Sequence, residues 1–239
     1  MRRSAHLAAV LSLTLLLTGA ATAAPAVAGA ETPASLAFGP NSDPYGTSMV
    51  TWSQRWWRWE TSIGTARNPS LDTTGANCDV QQQGRVWFLG SIFGSGSLTR
   101  SCTVPRDKAL LVNLSGILND YPCPDPNFKP APGESLEHFL RHGARSVVDT
   151  VNALNLRVDD QVLPNPFAYR FTSPLFHFTG VPSLRTSIDG CITGEDQRAV
   201  SDGYYVILRP LDPGRHNVVF TARDTHGTAT KVTYHLSVR

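Results

Sequence analysis

Asp212-Pro-Gly-Arg-His-Asn-Val-Val-Phe-Thr-Ala-Arg-Asp-Thr-His-Gly227, followed by Val232-Thr-Tyr-His-Leu-Ser-Val238, is the stretch on which the fold turns. Val232, Tyr234, Leu236 and Val238 alternate with Thr233, His235 and Ser237, the two-residue period of a strand with one buried and one wet face. Pro210-Leu-Asp-Pro-Gly214 and Asp224-Thr-His-Gly227 are turn signals on either side of His216–Ala222. With Tyr204–Leu208 they predict a final meander of three strands.

Upstream the same reading continues. Leu156–Val158 and Gln161–Leu163 flank Asp159-Asp160 as a tight hairpin, and Pro166–Thr179 reads as an aromatic strand interrupted at Pro174. Gly84–Val104 predicts two strands joined by Gly94-Ser-Gly-Ser97, and Ala109–Leu118 a third. Pro122–Gly133 can be neither helix nor central strand, because its prolines lack the amide donor. Two helices stand out. Met49, Trp52, Trp56, Trp59 and Ile63 fall at helical spacing behind Ser48, a capping residue. Glu134–Leu154 carries Leu136, Phe139, Leu140, Val147, Val151 and Leu154 on one side. The expected fold is mainly β: an antiparallel sandwich, immunoglobulin-like or jelly-roll-like, with a Trp-rich N-terminal helix and one longer amphipathic helix. It occupies 48–239 as a single domain behind an extended lead-in, 31–47.

Residues 1–30 read as an export signal: Arg2 and Arg3, an apolar run from Leu7 to Leu17, then small-x-small sites ending at Ala23, Ala28 and Ala30. Their removal leaves 19 basic and 19 acidic residues. A neutral chain lacks the basic excess that phosphate neutralisation requires, so nucleic acid is not an expected partner. No later apolar run is long enough for a transmembrane segment. Cys78, Cys102, Cys123 and Cys191 contain no C-x-x-C pair; in an exported chain four cysteines predict two disulfides. Of three possible connectivities, Cys78–Cys102 and Cys123–Cys191 are preferred.

Candidate site residues follow from residue type. Trp57 lies off the helical stripe with Arg55 and Arg58 beside the indoles, so Trp57, then Trp59, are candidates for an exposed platform under a sugar ring, with Asn119 and Tyr121 as further ligand contacts. Glycoside hydrolysis needs two carboxyl groups across a cleft, for which Asp120, Asp202 and Glu195 are the candidates. Turn capping and solvation are the simpler explanation of these carboxylates. His138 and His142 have the spacing of a helical metal pair but fall opposite the apolar side, and no Glu of the zinc-protease motif accompanies them. Asp189, Glu195, Asp196 and Asp202 do not form a twelve-residue calcium loop. The expectation is therefore no metal and no cofactor. Neither Gly-x-Ser-x-Gly nor regular βαβ alternation is present, which excludes an α/β-hydrolase.

Two resemblances complete the reading. Asp212–Gly227 with Val232–Val238 resembles the last hairpin of bacterial immunoglobulin-like and PKD-like sandwiches, which implies a fold and no activity. Trp52-Ser-Gln-Arg-Trp-Trp-Arg-Trp59, Asn68-Pro69 with Asp72 and Gly75, Val86-Trp-Phe-Leu89, Cys102-Thr-Val-Pro105, Lys108-Ala-Leu110 and Ser201-Asp-Gly-Tyr204 are similar to a group of uncharacterised secreted bacterial proteins, which implies secretion. The leading expectation is a non-catalytic module binding an extracellular polysaccharide or cell-surface component. A polysaccharide hydrolase using Asp120 and Asp202 is the rival, and a structural cell-surface protein without a concave pocket is the third reading.

Overall fold

Helix α1 (Met49–Ser62) begins where the sequence places it: the Ser48 hydroxyl accepts from the Thr51 amide at 3.2 Å, satisfying one of the first-turn donors. The computed structural model describes Ser35–Arg239; the expected export signal, its expected cleavage sites and the start of the expected lead-in lie outside the described residues. The strands are β1 (Val86–Phe88), β2 (Gly96–Val104), β3 (Ala109–Tyr121), β4 (Val151–Val158), β5 (Gln161–Val162), β6 (Arg170–Thr172), β7 (Phe176–Thr179), β8 (Asp196–Leu208), β9 (Gly214–Asp224) and β10 (Ala229–Val238), with helix α2 (Leu136–Val148) between β3 and β4.

They form two open sheets. The first runs β1-β3-β8, with β6 and β7 sharing the far edge of β8; the second runs β2-β10-β9-β4-β5. All pairings are antiparallel except β1 with β3 and β2 with β10. The sheets pack face to face over Leu110, Val112, Tyr204, Val206 and Leu208 from the first and Leu156, Val218, Phe220, Val232, Tyr234 and Leu236 from the second. The opposite face of the first sheet is covered by α1, through Trp56, Trp57 and Trp59 against Leu111, Tyr205 and Ile207. Helix α2 covers Val200 with Leu140 and Ala144. Strand β8 is thus buried on both faces, and its sequence from Ala199 to Leu208 carries almost no alternation for that reason. Strands β9 and β10 keep a wet face and alternate.

Three local expectations change. The helix predicted over Glu134–Leu154 ends at Val148; Thr150 turns its hydroxyl back onto the Val147 carbonyl, and Val151 and Leu154 belong to β4. The buried residues of α2 are Leu140, Ala144 and Val148, and Val147 is 48% exposed. The two strands of Gly84–Val104 do not pair with each other, since β1 joins the first sheet and β2 the second. Likewise β8 does not continue into the β9–β10 hairpin as one meander but crosses from one sheet to the other. Both expected disulfides are present, Cys78–Cys102 and Cys123–Cys191.

Candidate functional site

The Trp-rich helix does not present an indole to solvent. Trp52, Trp56, Trp57 and Trp59 are all buried, and each ring nitrogen donates to a fixed acceptor: Trp52 to the Pro44 carbonyl at 3.0 Å, Trp56 to Leu89 at 3.1 Å, Trp57 to the Tyr205 hydroxyl at 2.6 Å and Trp59 to Val80 at 3.0 Å. Trp57, the first candidate for an exposed platform, is 3% exposed and packs on the sheet instead. The reason is packing: Trp56 and Trp57 meet edge to face at 5.0 Å, so two consecutive indoles share the surface of the first sheet.

What α1 exposes is cationic. Arg55 and Arg58 stand three residues apart on its wet side, and Arg85, just before β1, faces the same cleft, a cavity of 610 Å³ also lined by Tyr45, Trp52 and Trp59. Arg55 lies 4.6 Å from the Trp52 ring centroid and Arg85 4.8 Å from that of Tyr45. Arg58 lies 5.0 Å from the Phe176 ring, and its Nε donates to the His177 carbonyl at 2.8 Å. Among the described residues none of the three forms a salt bridge. Partial burial, and then the neighbouring Arg55 charge, hold the Arg58 guanidinium below its ordinary pKa. The cleft therefore combines pre-positioned guanidinium planes, edges of aromatic rings and uncompensated positive charge, a combination suited to carboxylate, sulfate or phosphate oxygens.

The candidate carboxylates separate. Asp120 pairs in register with Ala199 and Ile117 with Asp202, so Asp120 and Asp202, an odd number of residues apart along the ladder, project from opposite faces of the first sheet. Asp202 is fully buried and held by Arg170, whose Nη2 and Nε lie 2.7 and 3.1 Å from its carboxylate oxygens, with Thr172 also donating. Arg170 pairs in turn with Asp149 at 2.6 Å, and both carboxylates raise its pKa. Glu195 is exposed on the loop before β8. Asp196 pairs with His177 at 2.7 Å, and the grouping of Asp189, Glu195, Asp196 and Asp202 does not assemble. Asn119 donates to the Leu140 carbonyl at 2.8 Å and anchors α2, while half-buried Tyr121 packs beside Leu140. His138 and His142 stack on the wet side of α2, and His138 contacts Glu134 at 2.7 Å.

No protein-family model matches the chain, and no curated protein is similar to it. Among solved structures, a chain from "Structure of PbICP-C in complex with falcipain-2" is 11% identical, covers 65% of this chain and 100% of that one, and has a TM-score of 0.26. A likeness at that level carries no argument about fold or ligand.

Asp120 instead meets two residues that sequence reasoning did not join to it. Its carboxyl lies beside that of Asp189 and accepts from Gln197 Nε2 at 2.7 Å; the same amide donates to the Pro122 and Cys191 carbonyls. Burial first, then the Asp189 charge and hydrogen bond, push the Asp120 carboxyl well above the ordinary carboxylate range. Asp120, Asp189 and Cys191 bring ligand-type atoms within 4.8 Å of one another, but the Cys191 sulfur is committed to its disulfide. Two carboxyl groups sharing a site remain. The pair is joined by the Cys123–Cys191 bridge, and nothing in the sequence spacing of Asp120 and Asp189 announces it.

Proposed function

We propose that the protein is a secreted, non-catalytic binding module that holds an anionic extracellular glycan in the cleft beside α1. The observation that carries this reading is the convergence of Arg55, Arg58 and Arg85 on one aromatic-edged cavity without a carboxylate partner among the described residues. Uronate or sulfate groups accept from guanidinium forks such as these. Two disulfides support an oxidising, extracellular setting. The two-carboxylate hydrolase loses its support, because Asp120 and Asp202 stand on opposite faces. A purely structural protein without a concavity is less consistent with a 610 Å³ cleft.

The test is titration of the mature protein with polygalacturonate, dextran sulfate and neutral dextran, followed by intrinsic Trp fluorescence, since Trp52 and Trp59 line the cleft. The acidic polymers should bind, and more weakly as salt rises; neutral dextran should not. Replacing Arg55, Arg58 and Arg85 together with Gln should weaken binding at least tenfold while preserving the far-UV circular dichroism. Equal binding of neutral and acidic polymers, or no binding at all, would overturn the proposal.

A further inference from the structure

The first sheet is left open along part of one edge. Strand β1 covers β3 only from Ala109 to Leu111, and the last contact in that direction is the Ser91 hydroxyl donating to the Asn113 carbonyl at 3.2 Å. Beyond Asn113, β3 has no partner strand on that side among the described residues. Its orientation there follows from the register. Ser201 of β8 is bonded through its backbone N–H and C=O to Ser173, on the far side from β3, so the alternate residues Asp202 and Val200 turn their backbone groups to Ile117 and Asn119. Gly116 and Leu118 consequently direct their N–H and C=O groups away from β8, and none of these groups has a partner on that side among the described residues.

This edge lies in a groove. One cavity of 310 Å³ runs beside Asn113–Gly116, a second of 380 Å³ beside Gly116–Asp120, and the two share Phe93, Gly116 and Val147. Phe93 and Trp57 belong to the α1 side, Val147 and Phe128 to the α2 side, so an inserted strand would find an apolar wall for each of its alternating faces. Two polar features mark the ends. Asn113 is 3% exposed, lines the first cavity, and its Oδ1 has no hydrogen-bond partner among the described residues. The second cavity ends on the Asp120–Asp189 pair, which has no basic side chain paired with it among the described residues.

We infer that the edge of β3 between Asn113 and Asp120 receives an extended peptide as an added strand, with a lysine or arginine of that peptide entering the cavity floored by Asp120 and Asp189. Backbone pairing supplies the affinity and the acidic, aromatic cavity supplies the preference, as in other strand-addition sites. The eight residues from Asn113 to Asp120 would span about 26 Å, enough for a peptide of similar length. The groove shares no lining residue with the arginine cleft, so either site can fail without the other.

A randomised dodecapeptide phage library panned on the disulfide-intact protein tests this. The selected sequences should carry Lys or Arg at one fixed position among alternating apolar residues. A synthetic copy of the best sequence should slow exchange of the Gly116 and Leu118 amides at least tenfold, and its norleucine-for-lysine version should bind at least tenfold more weakly. In the Asp120→Asn, Asp189→Asn double variant that preference should vanish, and Val147→Arg, at an exposed position, should weaken the lysine peptide in an otherwise intact fold. Selection of no sequence, unchanged amide exchange at Gly116 and Leu118, or a lysine preference that survives the double variant would each overturn the inference.

Discussion

Glu60 shows how far a single residue can depart from what its type suggests. It sits in α1 between exposed Arg58 and buried Thr61, yet is itself fully buried, with Oε2 accepting from Ser70 and Oε1 without a partner among the described residues. Burial pushes its carboxyl up to about 7, against the opposing pull of Ser70, Asn68 and the Arg100 charge. An acid whose folded pKa lies above its ordinary value near 4.5 binds more protons folded than unfolded between those limits. Stability from this group is therefore complete below pH 4.5 and declines as pH rises towards 7, by about 3 kcal/mol. Thermal melts from pH 4 to 8 should show the melting temperature falling, and Glu60→Gln should make that slope shallower. Asp120, whose carboxyl is pushed up further, acts in the same direction. Equal slopes in the two proteins would contradict the assignment. Nothing in the helical spacing signals that Glu60 and Trp57 both face inward; the periodicity shows one apolar stripe, whereas layers on more than one side decide which further positions are covered.

Among the elements, α1 and the β9–β10 hairpin were legible because capping and alternation are local properties. The end of α2 was not, since Val151 and Leu154 continue its apolar spacing by coincidence and only pairing with β9 makes them strand. Nor could the chain reveal that β1 and β2, separated by a Gly/Ser turn, join different sheets. The disulfides fix such non-local choices, and their loss should be unequal. Loop closure over 24 and 68 residues is worth about 3 and 4 kcal/mol respectively. Structure widens this gap. The segment carrying Cys78 is also tied by Arg100, which takes the Ser70 and Asp72 carbonyls, whereas Cys123–Cys191 positions the two carbonyls on which Gln197 depends. Urea denaturation should find Cys123→Ser, Cys191→Ser more destabilised than Cys78→Ser, Cys102→Ser; the reverse order would count against this account.

At the scale of the whole molecule, the first sheet is a middle layer, and what binds the outer layers to each other is a buried cation. Arg100 belongs to β2 in the second sheet and is 1% exposed, yet its guanidinium reaches the loops beside α1: Nε donates to the Asp72 carbonyl at 2.6 Å, Nη2 to Ser70 at 2.7 Å, and Nη1 to Gly90 and Ser91 at 3.0 and 2.8 Å, with the Tyr234 hydroxyl at 3.1 Å. An unpaired buried charge is costly, but here each of the three guanidinium nitrogens meets an oxygen and the ring of Tyr234 lies 5.6 Å away. Arg100→Met keeps much of the side chain's apolar bulk and strips the Ser70, Asp72 and Ser91 carbonyls of this donor. The expected loss is at least about 3 kcal/mol. Its distribution is the sharper prediction. The four indoles of α1 report the helical layer and far-UV circular dichroism reports the sheets, so in the wild-type protein the two urea transitions should coincide. In Arg100→Met the Trp transition should move to lower urea than the sheet transition, because the loops that hold α1 have lost their tie to β2. Coincident transitions in the variant, even at reduced stability, would mean that sheet packing alone couples the layers and that Arg100 contributes only locally.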